Sequence, residues 1–169
     1  MPKRMKRPGR DGDAAPEQRR QMLDLAGAAH YLVEECRMVL PGIQALFGFQ
    51  LVAVFSARFG TVLDAAQQRC HLLALALVAL SAALVMAPAA YHREVEPEFI
   101  SERFMRISTR LLLLSMFPLA GGICLDFYLI ARVIVRELWL SVTLATLLFC
   151  VIVALWFVLP WRWRRRRGV

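Results

Sequence analysis

Residues 72–90 read Leu-Leu-Ala-Leu-Ala-Leu-Val-Ala-Leu-Ser-Ala-Ala-Leu-Val-Met-Ala-Pro-Ala-Ala, nineteen positions without an ionisable side chain. Wound as an α-helix they extend about 28 Å, close to the hydrocarbon thickness of a bilayer. In lipid a helix satisfies its own backbone, so a run of this length and composition reads as a membrane span. Three further runs of the same kind flank it, at residues 39–57, 111–131 and 138–161. The composition agrees: 59% of the 169 residues are hydrophobic and the mean hydropathy is +0.52, against roughly 45–50% apolar residues in soluble domains. The expected fold is all-α, a four-helix transmembrane bundle forming one membrane domain over residues 21–161. The chain is too short for a second, catalytic domain.

The segments between the spans set the expected organisation. Residues 1–20 carry seven basic side chains among prolines and glycines and read as a disordered basic tail. Residues 21–38 place Met22, Leu25, Ala29, Leu32, Val33 and Cys36 at helical spacing, with Asp24, Glu34, Glu35 and Arg37 at the polar positions. They form either an amphipathic interfacial helix that turns inward at Pro41-Gly42 or the amphipathic first turns of the span itself. Residues 58–71 read as a loop. Residues 92–110 read as a second amphipathic interfacial helix or a solvated connection. Pro118 with Gly121-Gly122 predicts a kink in the third span. Two small-residue ridges, Ala79, Ala83, Ala87 and Thr146, Cys150, Ala154, predict close helix neighbours.

Basic residues fix the expected orientation. Eight lie before the first span, four between the second and third and five after the fourth, which puts seventeen of the 21 Lys+Arg on one side. The positive-inside bias therefore places both ends, including the basic tail 162–169, on the cytoplasmic side, which in a member of the bacterial family resembled below is the inner membrane. The charge of +8 then meets anionic lipid headgroups rather than nucleic acid. Cys36, Cys70, Cys124 and Cys150 show no metal-ligand spacing and read as packing residues.

Antiparallel spans one and two bring the start of one and the end of the other to the same depth. Glu34, Glu35, Arg37, Pro41 and Gln44 then share a boundary layer with Tyr91, His92 and Arg93, and with Arg110 at the start of the third span. Such a cluster either exchanges protons or holds a ligand through Glu35 and His92, or it fixes the helix ends as paired and snorkelling charges. Asp126, an acid within an apolar run, is the second candidate; its depth near the outer headgroups favours pairing with Arg132 or Arg58 over an ion pathway. Gln50 and Gln44 stand about 120° apart on their helix, and an amide in a span most often bonds a neighbouring helix.

The stretches Glu35-Cys-Arg37-Met-Val-Leu40-Pro41-Gly42-Ile-Gln44 and Ala87-Pro88-Ala-Ala-Tyr91-His92-Arg93 resemble those of a family of small, uncharacterised bacterial integral membrane proteins. The likeness extends over residues 22–160 and implies four spans without an established activity, although some members bear a sodium:proton antiporter name. Neither the residues nor the resemblance implies an enzyme, a cofactor or a metal. The expectation is a packing or partner-binding membrane protein, with a homo-oligomer or a membrane-protein partner. A small ion or proton-coupled transporter, or an accessory subunit of one, is the alternative.

Overall fold

The structure, a computed structural model, describes residues 11–95 and 101–166. It is built from α1 (Asp11–Val54), a single turn α2 (Phe59–Val62), α3 (Ala65–Val95), α4 (Glu102–Val135), α5 (Leu138–Val153), a π-helical segment (Ala154–Val158) and α6 (Leu159–Arg166). Among the described residues there is no strand. Four stretches are long and apolar enough to cross a membrane: Gly27–Val54, Ala65–Glu94, Glu102–Val135 and Leu138–Trp163. The protein is a multi-pass helical membrane protein.

Helix α1 is continuous. Residues 11–20, expected in a disordered tail, form its first turns. Residues 1–10 and 167–169 of the expected tails lie outside the described residues. Pro41-Gly42 does not end the helix, so no separate interfacial helix precedes the first span. The second expected interfacial helix is likewise absent as a separate element: α3 runs on to Val95, residues 96–100 lie outside the described residues, and Ser101 caps α4, its hydroxyl accepting from the Phe104 N–H at 3.1 Å. Helix α4 continues through Pro118. The irregular turn falls instead at Ala154–Val158, where the Leu159 N–H bonds the Ala154 carbonyl. Pro160 follows directly; its ring would strike the carbonyl four residues back in a regular α-helix, and widening the turn relieves that clash.

The loop expected at residues 58–71 is shorter than its polar composition implied. Asp64 accepts from the Gln67 N–H at 2.8 Å and Gln67 Oε1 accepts from the Asp64 N–H at 3.0 Å, a reciprocal capping box that starts α3 at Ala65. Residues 65–71 are therefore helical. The α4–α5 turn is two residues, with Arg136 in the left-handed region at φ 62°.

Packing follows a 3–4 spacing on each helix. On α3 the buried stripe is His71, Ala74, Val78, Ser81, Val85 and Pro88. On α1 it is Ala29, Leu32, Ile43 and Gln50. Helix α4 has two stripes: Ser108, Ser115, Gly122 and Leu129, and nearly opposite them Ala120, Cys124 and Ala131. The first stripe meets α3, with Leu112 and Leu119 beside it joining Ile43, Val78 and Val85 in a core of three helices. The second meets Ile152, Leu148 and Trp156 of the last span. Thus α1 and α3 share one side of α4 and α5 takes the other, so the last span extends the bundle instead of closing it. The alanine ridge 79/83/87 and the Thr146/Cys150/Ala154 ridge are not these seams: Ala83, Thr146, Cys150 and Ala154 are exposed.

The α3–α4 seam is the tightest. A Cβ on Gly122 would stand 2.7 Å from Val78 Cγ2 and 3.2 Å from the Ala74 carbonyl oxygen, so only glycine permits this approach. One layer away, Ser81 Oγ donates to the Ser115 carbonyl at 2.9 Å. These two contacts fix the register of α4 on α3.

Candidate functional site

Three polar side chains from three helices meet at the bundle end that holds the α1–α3 turn. Gln50 Nε2 donates to Asp126 Oδ2 at 2.5 Å. Asp126 Oδ1 lies 3.5 Å from His71 Nδ1, and His71 Nε2 is 3.0 Å from the backbone carbonyl of Gln50. Gln50 and His71 are buried, at 4% and 7% exposure, and the Phe59 ring packs edge-on against the imidazole with centroids 5.4 Å apart. Each residue sits where its helix turns inward. Gln50 is seven residues past Ile43 on the α1 stripe, His71 is the first member of the α3 stripe, and Asp126 lies between Gly122 and Leu129 on α4.

The hydrogen bonds constrain the proton. A carbonyl only accepts, so His71 Nε2 carries a hydrogen and donates to Gln50. Nδ1 then faces a carboxylate oxygen, and a buried pair of bare lone pairs is unfavourable. Gln50 Oε1 is left buried without a partner.

The triad forms the inner end of a crevice of about 490 Å³ between α1 and α4, under the α2 turn. Leu46, Phe49, Leu129, Ile130, Val133 and Ile134 line its apolar length, and Arg58 stands at its mouth. Arg58 makes no ion pair with the described acidic residues.

The match to a known family extends over residues 18–160, from the second turn of α1 onward to Pro160, and so includes every member of this site. The chain belongs to DUF6328, a family of unknown function. No curated protein and no solved structure matches it.

In this DUF6328 chain the residues singled out from sequence are distributed as follows. Arg37 bonds Glu34 at 3.2 Å within α1, an exposed i,i+3 pair of the kind that contributes little. Glu35, Pro41, Gln44, Arg93 and Arg110 are exposed. Tyr91 stacks on Phe104 with centroids 6.0 Å apart, and His92 meets the same ring at 5.4 Å. Among the described residues no hydrogen bond or ion pair joins the Glu34/Glu35/Arg37 group to Tyr91, His92, Arg93 or Arg110. Asp126 bonds neither Arg132 nor Arg58; its partners are Gln50 and His71. Gln50 makes the interhelical bond expected of it, while Gln44 stays exposed. Sequence reasoning missed His71 by assigning it to a loop. The Asp64-x-x-Gln67 capping signature, which starts α3 seven residues earlier, is the signal that places it on a helix face.

All four cysteines are free thiols; Cys124 is buried against α5 and Cys150 is exposed. Among the described residues no group of histidine, cysteine and carboxylate side chains is arranged to hold a metal ion.

Proposed function

We propose that this DUF6328 member is an integral protein of the bacterial cytoplasmic membrane, both ends inside, that carries out no reaction of its own and works by binding. The observation that carries the reading is the Gln50–His71–Asp126 triad at the end of an apolar crevice. The three side chains line the crevice, and Gln50 keeps a buried acceptor without a partner there. The charge bias places the crevice in the outer half of the bilayer and the basic ends against anionic headgroups inside. The amphipathic residues 21–38 of α1 then lie at the cytoplasmic interface. Trp139 and Trp161 bracket the last span about 33 Å apart, as interfacial anchors do.

Proton-coupled transport is the second reading, favoured by the buried His71–Asp126 contact. The other buried polar groups of the α3–α4 seam oppose it. Ser81 lies ten residues along α3 from His71, about 15 Å at the helical rise, and the side chains between are Ala74 and Val78 against Gly122. Proton transfer needs neighbours at hydrogen-bond distance.

The test is native mass spectrometry of the full chain purified in mild detergent from its own membranes. A non-protein adduct at one per chain, lost on Gln50→Leu, supports binding. A bare chain that instead drives proton or sodium flux in proteoliposomes, lost on Asp126→Asn, refutes it.

A further inference from the structure

We infer that the chain assembles as a parallel homodimer, joined along the face of α1 that bears Gln44. Helix α1 buries the stripe Ala29, Leu32, Ile43 and Gln50 in its own bundle. Gln44 stands about 100° from Ile43 around the helix, and its side chain is exposed. It lies seven residues beyond Arg37, about 10 Å at the helical rise, so its amide faces hydrocarbon when residues 21–38 lie at the interface. Among the described residues it makes no hydrogen bond. An amide facing lipid without a partner is costly, since nothing around it replaces water. The last span leaves more of its surface open but makes no such demand. Its Thr143 Oγ1 donates to the Trp139 carbonyl of the same helix at 2.8 Å, a bond open to a threonine hydroxyl in any helix. A glutamine amide, with two donors and an acceptor of two lone pairs, needs a neighbouring helix.

Three features make that neighbour a second copy. The amide is self-complementary: copies inserted the same way round hold Gln44 at equal depth, so a two-fold axis along the membrane normal sets it against its own counterpart, and each amide both donates and accepts. The face around it has the spacing of a helix pair. Arg37, Pro41, Gln44, Gly48 and Leu51 follow at intervals of 4, 3, 4 and 3 residues, the seam of a left-handed two-helix contact, in which a single polar side chain fixes register. Gly48 is the third feature. It lies one turn outward of Gln44, and nothing in its own chain comes within 4 Å of a Cβ there, so the room it leaves is open to the backbone of another helix. Charge does not oppose the pairing, because Arg37 carries Glu34 at 3.2 Å. Leu46 and Phe49, which line the crevice, stand about 160° and 140° around α1 from Gln44. The dimer therefore leaves the crevice open and does not depend on what fills it.

The full chain, purified from its own membranes in mild detergent and weighed intact by native mass spectrometry, should be a dimer. Gln44→Leu should weaken it about tenfold, read from dissociation on dilution, and Gln44→Asn should keep part of the affinity. Gly48→Ile should weaken it by holding the two helices apart. Thr146→Leu, on the exposed ridge of the last span, should leave it unchanged, and circular dichroism verifies that every variant is folded. A second measurement is made in native membranes, on the chain with its four cysteines replaced by alanine. Added to that chain, Leu51→Cys should cross-link to a dimer on oxidation and Leu140→Cys, on the last span, should not. A monomer in both measurements overturns the inference. A dimer that Gln44→Leu leaves as tight as before, that Thr146→Leu dissociates, or that cross-links through Leu140→Cys and not Leu51→Cys also overturns it.

Discussion

Gly122→Ala should weaken the fold although it replaces the poorest helix former but proline with the best. The added methyl would sit 2.7 Å from Val78 Cγ2 and 3.2 Å from the Ala74 carbonyl oxygen, whereas carbons pack best at about 3.5–4.0 Å. Neither neighbour gives way easily. Val78 is fully buried, a β-branched side chain in a helix is confined to one dominant rotamer, and the Ala74 atom is backbone. The helices must part instead, and overpacking of this kind costs about 1–3 kcal/mol. Helix propensity returns about 0.8–1.0 kcal/mol, which leaves a net loss of up to about 2 kcal/mol. The damage should reach the site, because Gly122 is one turn from Asp126 and Ala74 one turn from His71. Gly42→Ala is the matched control: nothing lies within 4 Å of its new methyl, so propensity acts alone and stability should rise by up to about 1 kcal/mol. Both variants are compared with the parent chain by thermal unfolding in mild detergent, followed by circular dichroism. Gly122→Ala proving as stable as Gly42→Ala would refute the close α3–α4 approach.

Asp126→Asn should be nearly neutral for stability, within about 1 kcal/mol, because the amide both accepts from Gln50 and donates to His71 Nδ1. Asp126→Leu should cost about 1–3 kcal/mol by leaving the Gln50 amide and the imidazole unsatisfied, and a reversed order in unfolding assays would contradict the triad. Arg136→Gly should be neutral to stabilising by about 1 kcal/mol, since a non-glycine residue is held in the left-handed region there; a clear loss of stability would argue against that backbone. Asp64→Ala removes half of the capping box and should cost about 1 kcal/mol, measured by the same unfolding assay, whereas Asp64→Asn should retain most of it.

The sequence alone determined the class, the number of spans and their order. Those follow from runs of apolar residues long enough to cross lipid, a property each segment carries by itself. It also marked Gln50 as an interhelical donor and Asp126 as an acid out of place, since a polar group within a span needs a partner wherever the helix packs. Which faces meet was decided only by the tertiary structure. Lipid is as apolar as leucine, so a span such as residues 72–90 bears no polar face to contrast with a buried one, and the alanine ridge 79/83/87 looked as good a seam as the 74/78/81/85 stripe. The choice fell to fit between helices, above all the room that Gly122 leaves for Val78, and to the Ser81–Ser115 bond. Once that seam is set, His71 and Asp126, 55 positions apart, reach the same layer, and α1 brings Gln50 to both. The expected boundary cluster of Glu34, Glu35 and Arg37 with Tyr91, His92 and Arg93 rests on depth alone, and depth does not say which way a side chain faces. Glu35 and Arg93 are exposed while Tyr91 and His92 turn to Phe104. A span's depth is written in its own residues, but its rotation is set by the neighbour it packs against.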